Sequence, residues 1–262
     1  MISHQAQILK ERNAKLRKEL ALKNRELEIE ASLERVRSRS MAMHKSDELL
    51  EVIKVIAEQL THLGLAFDNV SFGINDQADD FKFWVAMAGQ PEPLFIHVPY
   101  IDNPAPHRVK EAQKNGTKFF ADILRTEENR QWTQHFIDFS DIKLLAADVK
   151  NYILNCEGYA RSTFILNNIN LYVGNYRAIP YSEVDNNIFK RFSQVFEQAY
   201  TRFLDLQKAE TQTREAQIEA ALERVRAKTM AMHKSEQLAE TAKVFFEQFH
   251  LLGKIPDRMS IG

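Results

Sequence analysis

One cysteine, Cys156, occurs in 262 residues. A single thiol excludes an internal disulfide and a thiolate metal cluster, and it fits a reducing compartment, so the cytoplasm is the expected location. Glycine is scarce, with 8 residues, and proline scarcer, with 7. Phosphate-cradling glycine loops are hard to build from so few, and no Gly-x-Ser-x-Gly elbow, His-Glu-x-x-His zinc pair or kinase glycine box is present. No run of about 18 or more apolar residues occurs, and Met1-Ile2-Ser3-His4-Gln5 leads straight into charged, helix-forming sequence, so neither a membrane segment nor an export signal is expected. Excess charge of one sign is also missing. Lys and Arg number 35 against 36 Asp and Glu, a net charge of -1. Such a surface is not built to neutralise phosphates, which removes nucleic acid from the expected partners.

What the sequence does have is 44% hydrophobic residues, enough for a real core, and a long-range repeat. Residues 30–73 align without gaps onto 219–262, and about half of the positions are identical. Leu33-Glu34-Arg35-Val36-Arg37 and Met41-Ala42-Met43-His44-Lys45-Ser46 match Leu222-Glu223-Arg224-Val225-Arg226 and Met230-Ala231-Met232-His233-Lys234-Ser235. The period is far too long for a solenoid and suits one globular domain plus one helical connector in tandem. The expected organisation is a helix over 1–45, a globular domain over 46–206, a second helix over 207–234, and the start of a second domain over 235–262.

Residues 5–43 are nearly free of Gly and Pro and rich in Glu, Lys, Arg, Leu and Ala, which predicts one long helix. Leu22, Ile29, Val36 and Met43 recur every seven residues, with Leu33 between them, and Ile218, Leu222, Val225 and Met232 repeat the pattern. That stripe is expected to be the core of a parallel homodimeric coiled coil. Leu9 and Leu16 lie one residue out of its phase. Residues 44–63 predict an amphipathic helix stopped by Gly64, with Ser46 or Ser235 as its cap in the two copies. Alternation predicts strands over 69–75, 81–87 and 94–100, with a turn over 76–80. A helix over 106–115, an extended segment over 117–123 and irregular helix over 127–156 follow. Strands over 159–166 and 169–176 flank Asn167-Asn168 as a hairpin, and Ser182 caps a helix that runs on into the second connector. This order predicts an α+β fold, an antiparallel sheet framed by helices.

Gly116-Thr117-Lys118-Phe119-Phe120-Ala121-Asp122 is similar to the glycine-to-aspartate strand of GAF domains, and Pro180-Tyr181-Ser182-Glu183-Val184-Asp185 to the turn that starts their last helix. The region over 46–206 resembles that family, and the two connectors resemble the signalling helices of multidomain bacterial sensor histidine kinases, and sometimes of nucleotide cyclases. The resemblance implies a non-catalytic sensory and dimerising segment, with an unknown small-molecule ligand and transmission to a downstream output domain; the alternative reading is a ligand-free dimerising spacer domain. It implies no particular cofactor. The Asn-Lys-Phe-Asp-Glu pattern of cyclic-nucleotide GAF domains is missing, and Cys156 stands in no chromophore-attachment motif.

Trp84, Phe95, His97, Tyr100 and Tyr159 lie on or beside predicted strands and combine aromatic walls with polar tips, the composition of a small-ligand pocket or equally of a core. His44 and His233 mark the junction of connector and domain; the following Lys-Ser is unlike a phosphoacceptor context. His97, His107 and His135 sit on different predicted elements without ligand spacing, and Cys156 reads as a small buried hydrophobe.

Overall fold

The computed structural model describes residues 2–74, 80–90, 92–231 and 238–253. The chain forms two compact units, Met1–Phe203 and Leu204–Gly262. The fold is mixed helix and sheet, with long helices at both ends.

In the first unit, α1 (Ile2–Met41) is followed by a short 3-10 turn (Ser46–Glu48) and α2 (Leu49–His62). At the expected junction of connector and domain, the Glu48 carboxylate accepts hydrogen bonds from the backbone N–H groups of His44 and Lys45, both at 3.2 Å. Those bonds, aided by Arg39 at 3.2 Å, hold the Glu48 carboxyl below its usual range. Lys45, not Ser46, occupies the N-cap position, so the expectation for Ser46 is corrected; Ser235 lies outside the described residues. Leu49, Val52, Ile53, Ile56 and Leu60 form the buried stripe of α2. The helix ends at Gly64, whose positive φ of 69° lets Leu65 N–H return to the Leu60 carbonyl.

The sheet has six strands, β1 (Asn69–Ile74), β2 (Phe81–Met87), β3 (Leu94–Val98), β4 (Phe119–Arg125), β5 (Gly158–Ile165) and β6 (Ile169–Asn175), in the order β3-β2-β1-β6-β5-β4. Every neighbouring pair is antiparallel. Helices α3 (Pro104–Lys114), α4 (Thr126–Phe139) and α5 (Ala147–Leu154) fill the connections on either side of β4. The helix after the sheet, α6 (Glu183–Met230), starts where Ser182 Oγ accepts the Asp185 N–H at 3.1 Å.

Both faces of the central strands are covered, and β5 and β6 are buried along their whole length. One face packs on α2 and α6: the Phe72 ring lies 3.8 Å from that of Phe196, and Trp84 meets Tyr200 and Phe203 at 5.8 and 5.9 Å. α1 closes over this layer. Ile29, Leu33, Val36 and Met43 are buried within the single chain, Arg191 pairs with Glu26 at 2.9 Å and with Glu30, and Arg202 donates to the Met43 carbonyl at 3.0 Å. The stripe assigned to a dimer core is therefore occupied in-chain at these four positions. Leu22 lies on the same face of α1 but is 63% exposed, because α2 ends beside Arg25, which donates to the Leu63 carbonyl at 2.5 Å. The opposite sheet face carries α3, α4 and α5.

In the second unit, α7 (Leu238–Leu251) spans the residues that correspond to α2, 189 positions on. Arg224 donates to Gln248 at 3.0 Å as Arg35 does to Gln59 at 2.8 Å, and Arg214 donates to the Leu252 carbonyl at 2.6 Å as Arg25 does to that of Leu63. The sequence repeat is thus a repeat of hydrogen bonds. Ile218 and Leu222 stay 39% and 46% exposed and Val225 is half-buried, since α7 alone faces them among the described residues. Met232 and His233 lie outside the described residues.

Candidate functional site

Alternation decides which side chains meet on the sheet face beneath α3, α4 and α5. Ser71 and Gly73 of β1, Phe81, Phe83 and Val85 of β2, Tyr159 and Arg161 of β5, and Asn170 and Tyr172 of β6 all turn to that side and wall a cavity of about 320 Å³. Its roof comes from Val109 of α3, Trp132, Thr133 and Phe136 of α4, and Ile153 of α5. At roughly 30 Å³ per water molecule, the space equals that of about ten waters.

Two glycines make the room. A Cβ on Gly73 would stand 2.8 Å from the Phe83 ring and 2.9 Å from that of Tyr172, so only glycine lets both rings lie over β1. A Cβ on Gly174 would fall 1.9 Å from Tyr159 Oη. The Tyr159 phenol instead crosses this bare backbone and donates to Asn69 Oδ1 at 2.8 Å. Burial pushes the phenols of Tyr159, Tyr172 and Tyr176 above their ordinary range, so they are neutral donors at physiological pH.

The floor of the cavity holds a charge. Arg161 is 5% exposed, and its register partner across the β4–β5 ladder is Asp122. Arg161 Nε donates to Asp122 Oδ1 at 2.7 Å, and Nη2 donates to Asp122 Oδ2 at 3.1 Å and to the Ala105 carbonyl at 3.0 Å. Arg108 of α3 reaches the same carboxylate at 2.8 Å and Glu128 at 3.0 Å, joining sheet to helices. These carboxylates outweigh the burial that opposes the Arg108 charge and hold its pKa above the ordinary value. The rings of Phe120 and Tyr172 flank the Arg161 guanidinium, each 5.8 Å away.

Of the five residues singled out by sequence, Tyr159 lines the cavity. Trp84, Phe95 and His97 occupy alternate positions and face the other way: Trp84 packs between Phe95 and α6, Phe95 is 48% exposed, and His97 is exposed and bonded to Asp80 at 3.0 Å. Tyr100 stacks on Phe81 outside the cavity, with Lys110 4.8 Å above its ring. His107, which is exposed, pairs with Asp102 at 2.9 Å, and His135, which is half-buried, meets the Pro99 carbonyl at 2.6 Å. Among the described residues, no group of three or more His, Cys, Asp or Glu side chains is placed to hold a metal ion. Cys156 is buried beside Asn129, whose Nδ2 donates to its Sγ at 3.2 Å, and burial raises its thiol pKa.

Arg161, Tyr172 and Gly73 were missed by sequence reading. A charged residue in the centre of the apolar run 158–165 is the one signal that pointed to Arg161. Among the described residues, no helix is long and apolar enough to cross a membrane. No family model matches the chain, and no curated protein matches it.

Proposed function

We propose that this chain is a sensory and dimerising segment of a multidomain signalling protein, built on a GAF-like domain. A small molecule held in the cavity biases the packing of α1 and α6, and the second connector passes that bias to an output domain, for which a histidine kinase is the expected type. The observation that carries this reading is the geometry of β2. Phe83 and Val85 wall the cavity, while Trp84, between them, packs against Tyr200 and Phe203 of α6. A ligand that moves the strand by a fraction of an ångström therefore acts on the helix through one residue. Such coupling requires a ligand that binds the two packings with different affinity.

Titration calorimetry of the whole chain against a broad metabolite and nucleotide panel tests the reading. Saturable binding by at least one compound is expected, and silence across the panel removes ligand sensing.

The dimer is proposed on α1, but on a different face from that expected. Leu9, Leu16, Leu20 and Leu27 are all more than half exposed. At 3.6 residues per turn they form one stripe, opposite Ile29, Leu33 and Val36. Asn13 falls within it, at a core position where coiled coils use asparagine to fix register. Covering this stripe with a second copy turns the N-terminal half of α1 into the parallel seam. Light scattering over a concentration series is expected to give twice the chain mass, and a persistent monomer would refute the seam.

A further inference from the structure

We infer that the cavity is a site for a small carboxylate with an aromatic or apolar body, read by Arg161. This deepens the sensing reading and rests on it. Three of the five guanidinium N–H groups of Arg161 are engaged by Asp122 and Ala105; the two on Nη1 have no protein partner among the described residues. That edge is not among the buried side-chain atoms left without a partner, so it is accessible, and it belongs to a side chain that lines the cavity, where an incoming acceptor can reach it.

The rest of the lining specifies the acceptor's charge and body. Lys110 of α3 adds a second cation to the wall, against one lining carboxylate, Asp80, which His97 engages at 3.0 Å. Asp122 lies behind Arg161 and not on the cavity wall, so it balances part of the guanidinium charge without occupying its inward edge. Tyr172 Oη accepts from Asn170 at 3.1 Å and keeps its own proton to donate. Donors therefore converge at the floor, a carboxylate being the planar anion that fits a guanidinium edge. Phe81, Phe83, Trp132 and Phe136 supply an aromatic enclosure for the remainder. The volume matches a ligand body of roughly a dozen non-hydrogen atoms, the size of a simple aromatic acid.

The probes are benzoate, 3-phenylpropionate and indole-3-acetate, each beside its primary amide, titrated into the whole chain by calorimetry. The amides keep the shape and remove the charge. At least one acid is expected to bind about tenfold or more tightly than its amide, the ratio that a charge-assisted hydrogen bond supplies. The acid preference is expected to vanish in the double variant Arg161→Gln with Asp122→Asn, which strands no buried charge, and to shrink in Tyr172→Phe. Equal affinity for acids and amides in the unmodified chain would overturn the role of Arg161 while leaving ligand sensing in place. Binding by neither series would overturn this inference, and the broad panel would then judge sensing on its own. Retention of the preference in a folded double variant would equally overturn it.

Discussion

Replacing Gly174 by alanine tests the packing that opens the cavity. The added Cβ would sit 1.9 Å from Tyr159 Oη and 2.0 Å from Cζ, whereas ordinary contact begins at 3.4 Å, so the phenol must retreat by about 1.5 Å. That movement breaks its 2.8 Å bond to Asn69, both partners being buried. A buried hydrogen bond lost with its acceptor left in place costs about 1–3 kcal/mol, and overpacking adds about 1–3 kcal/mol. The lower entropy of alanine in the unfolded chain returns roughly 0.4–1 kcal/mol. The net loss is about 1–5.5 kcal/mol, and at roughly 2–4 °C per kcal/mol the melting temperature should fall by roughly 2–20 °C. Tryptophan fluorescence is the assay, because Trp84 and Trp132 are the chain's 2 tryptophans and both belong to the first unit. In a Tyr159→Ala background the same substitution should be neutral or stabilising by less than about 1 kcal/mol. An equal loss in both backgrounds would place the strain in the strand itself and refute the account of Tyr159.

Leu16→Glu with Leu20→Glu should convert a dimer into a monomer without loss of far-ultraviolet ellipticity, read by light scattering and circular dichroism; an unchanged mass would move the seam elsewhere. Asn103→Ala removes the buried cap of α3, whose Oδ1 accepts the Ala105 N–H at 2.9 Å, and should lower stability by about 0.5–2 kcal/mol in a urea titration. The buried tyrosines set the alkaline limit. Burial raises the phenols of Tyr159, Tyr172 and Tyr176, and pushes Tyr181 up to about 12, so the unfolded chain loses these protons first, near pH 10. Their contribution is full below about pH 10 and declines as pH rises toward 12. The urea midpoint should fall across that window, and a flat profile would contradict the burial of these rings.

Much of this fold was legible in the sequence because its elements are long and strongly periodic. The strand over 81–87, the hairpin at Asn167-Asn168 and the Ser182 cap each carry a local signal that tertiary packing leaves intact. The side of the sheet was not legible. Alternation separates Phe83 from Trp84 but does not say which of the two meets a cavity, and β5 and β6, buried on both faces, show no contrast at all. Arg161 and Asp122 are 39 residues apart, and only the strand register makes them partners. The heptad stripe of α1 was visible, but seven-residue spacing serves a helix lying on its own domain as well as one lying on a second chain. Burial of Leu33 and Val36 against exposure of Leu16 and Leu20 separates the two uses.

The strand order also bears on how the chain acquires its structure. β1-β2-β3 is a local ladder, β4 and β5 pair across 33 (Arg125 and Gly158) to 45 (Phe119 and Phe164) positions, and the sheet becomes one object only through β1 and β6, whose paired residues lie 95 (Ile74 and Ile169) to 105 (Asn69 and Gly174) positions apart. Closing so long a loop before its contacts repay the entropy makes this the slow step of folding. On the ribosome, β1 emerges early and keeps an open edge bearing Val70 and Phe72 until β6 and α6 have been made. During synthesis the half-sheet is therefore the species most exposed to misassociation, and a nascent chain halted before Ile169 is the natural client of a chaperone.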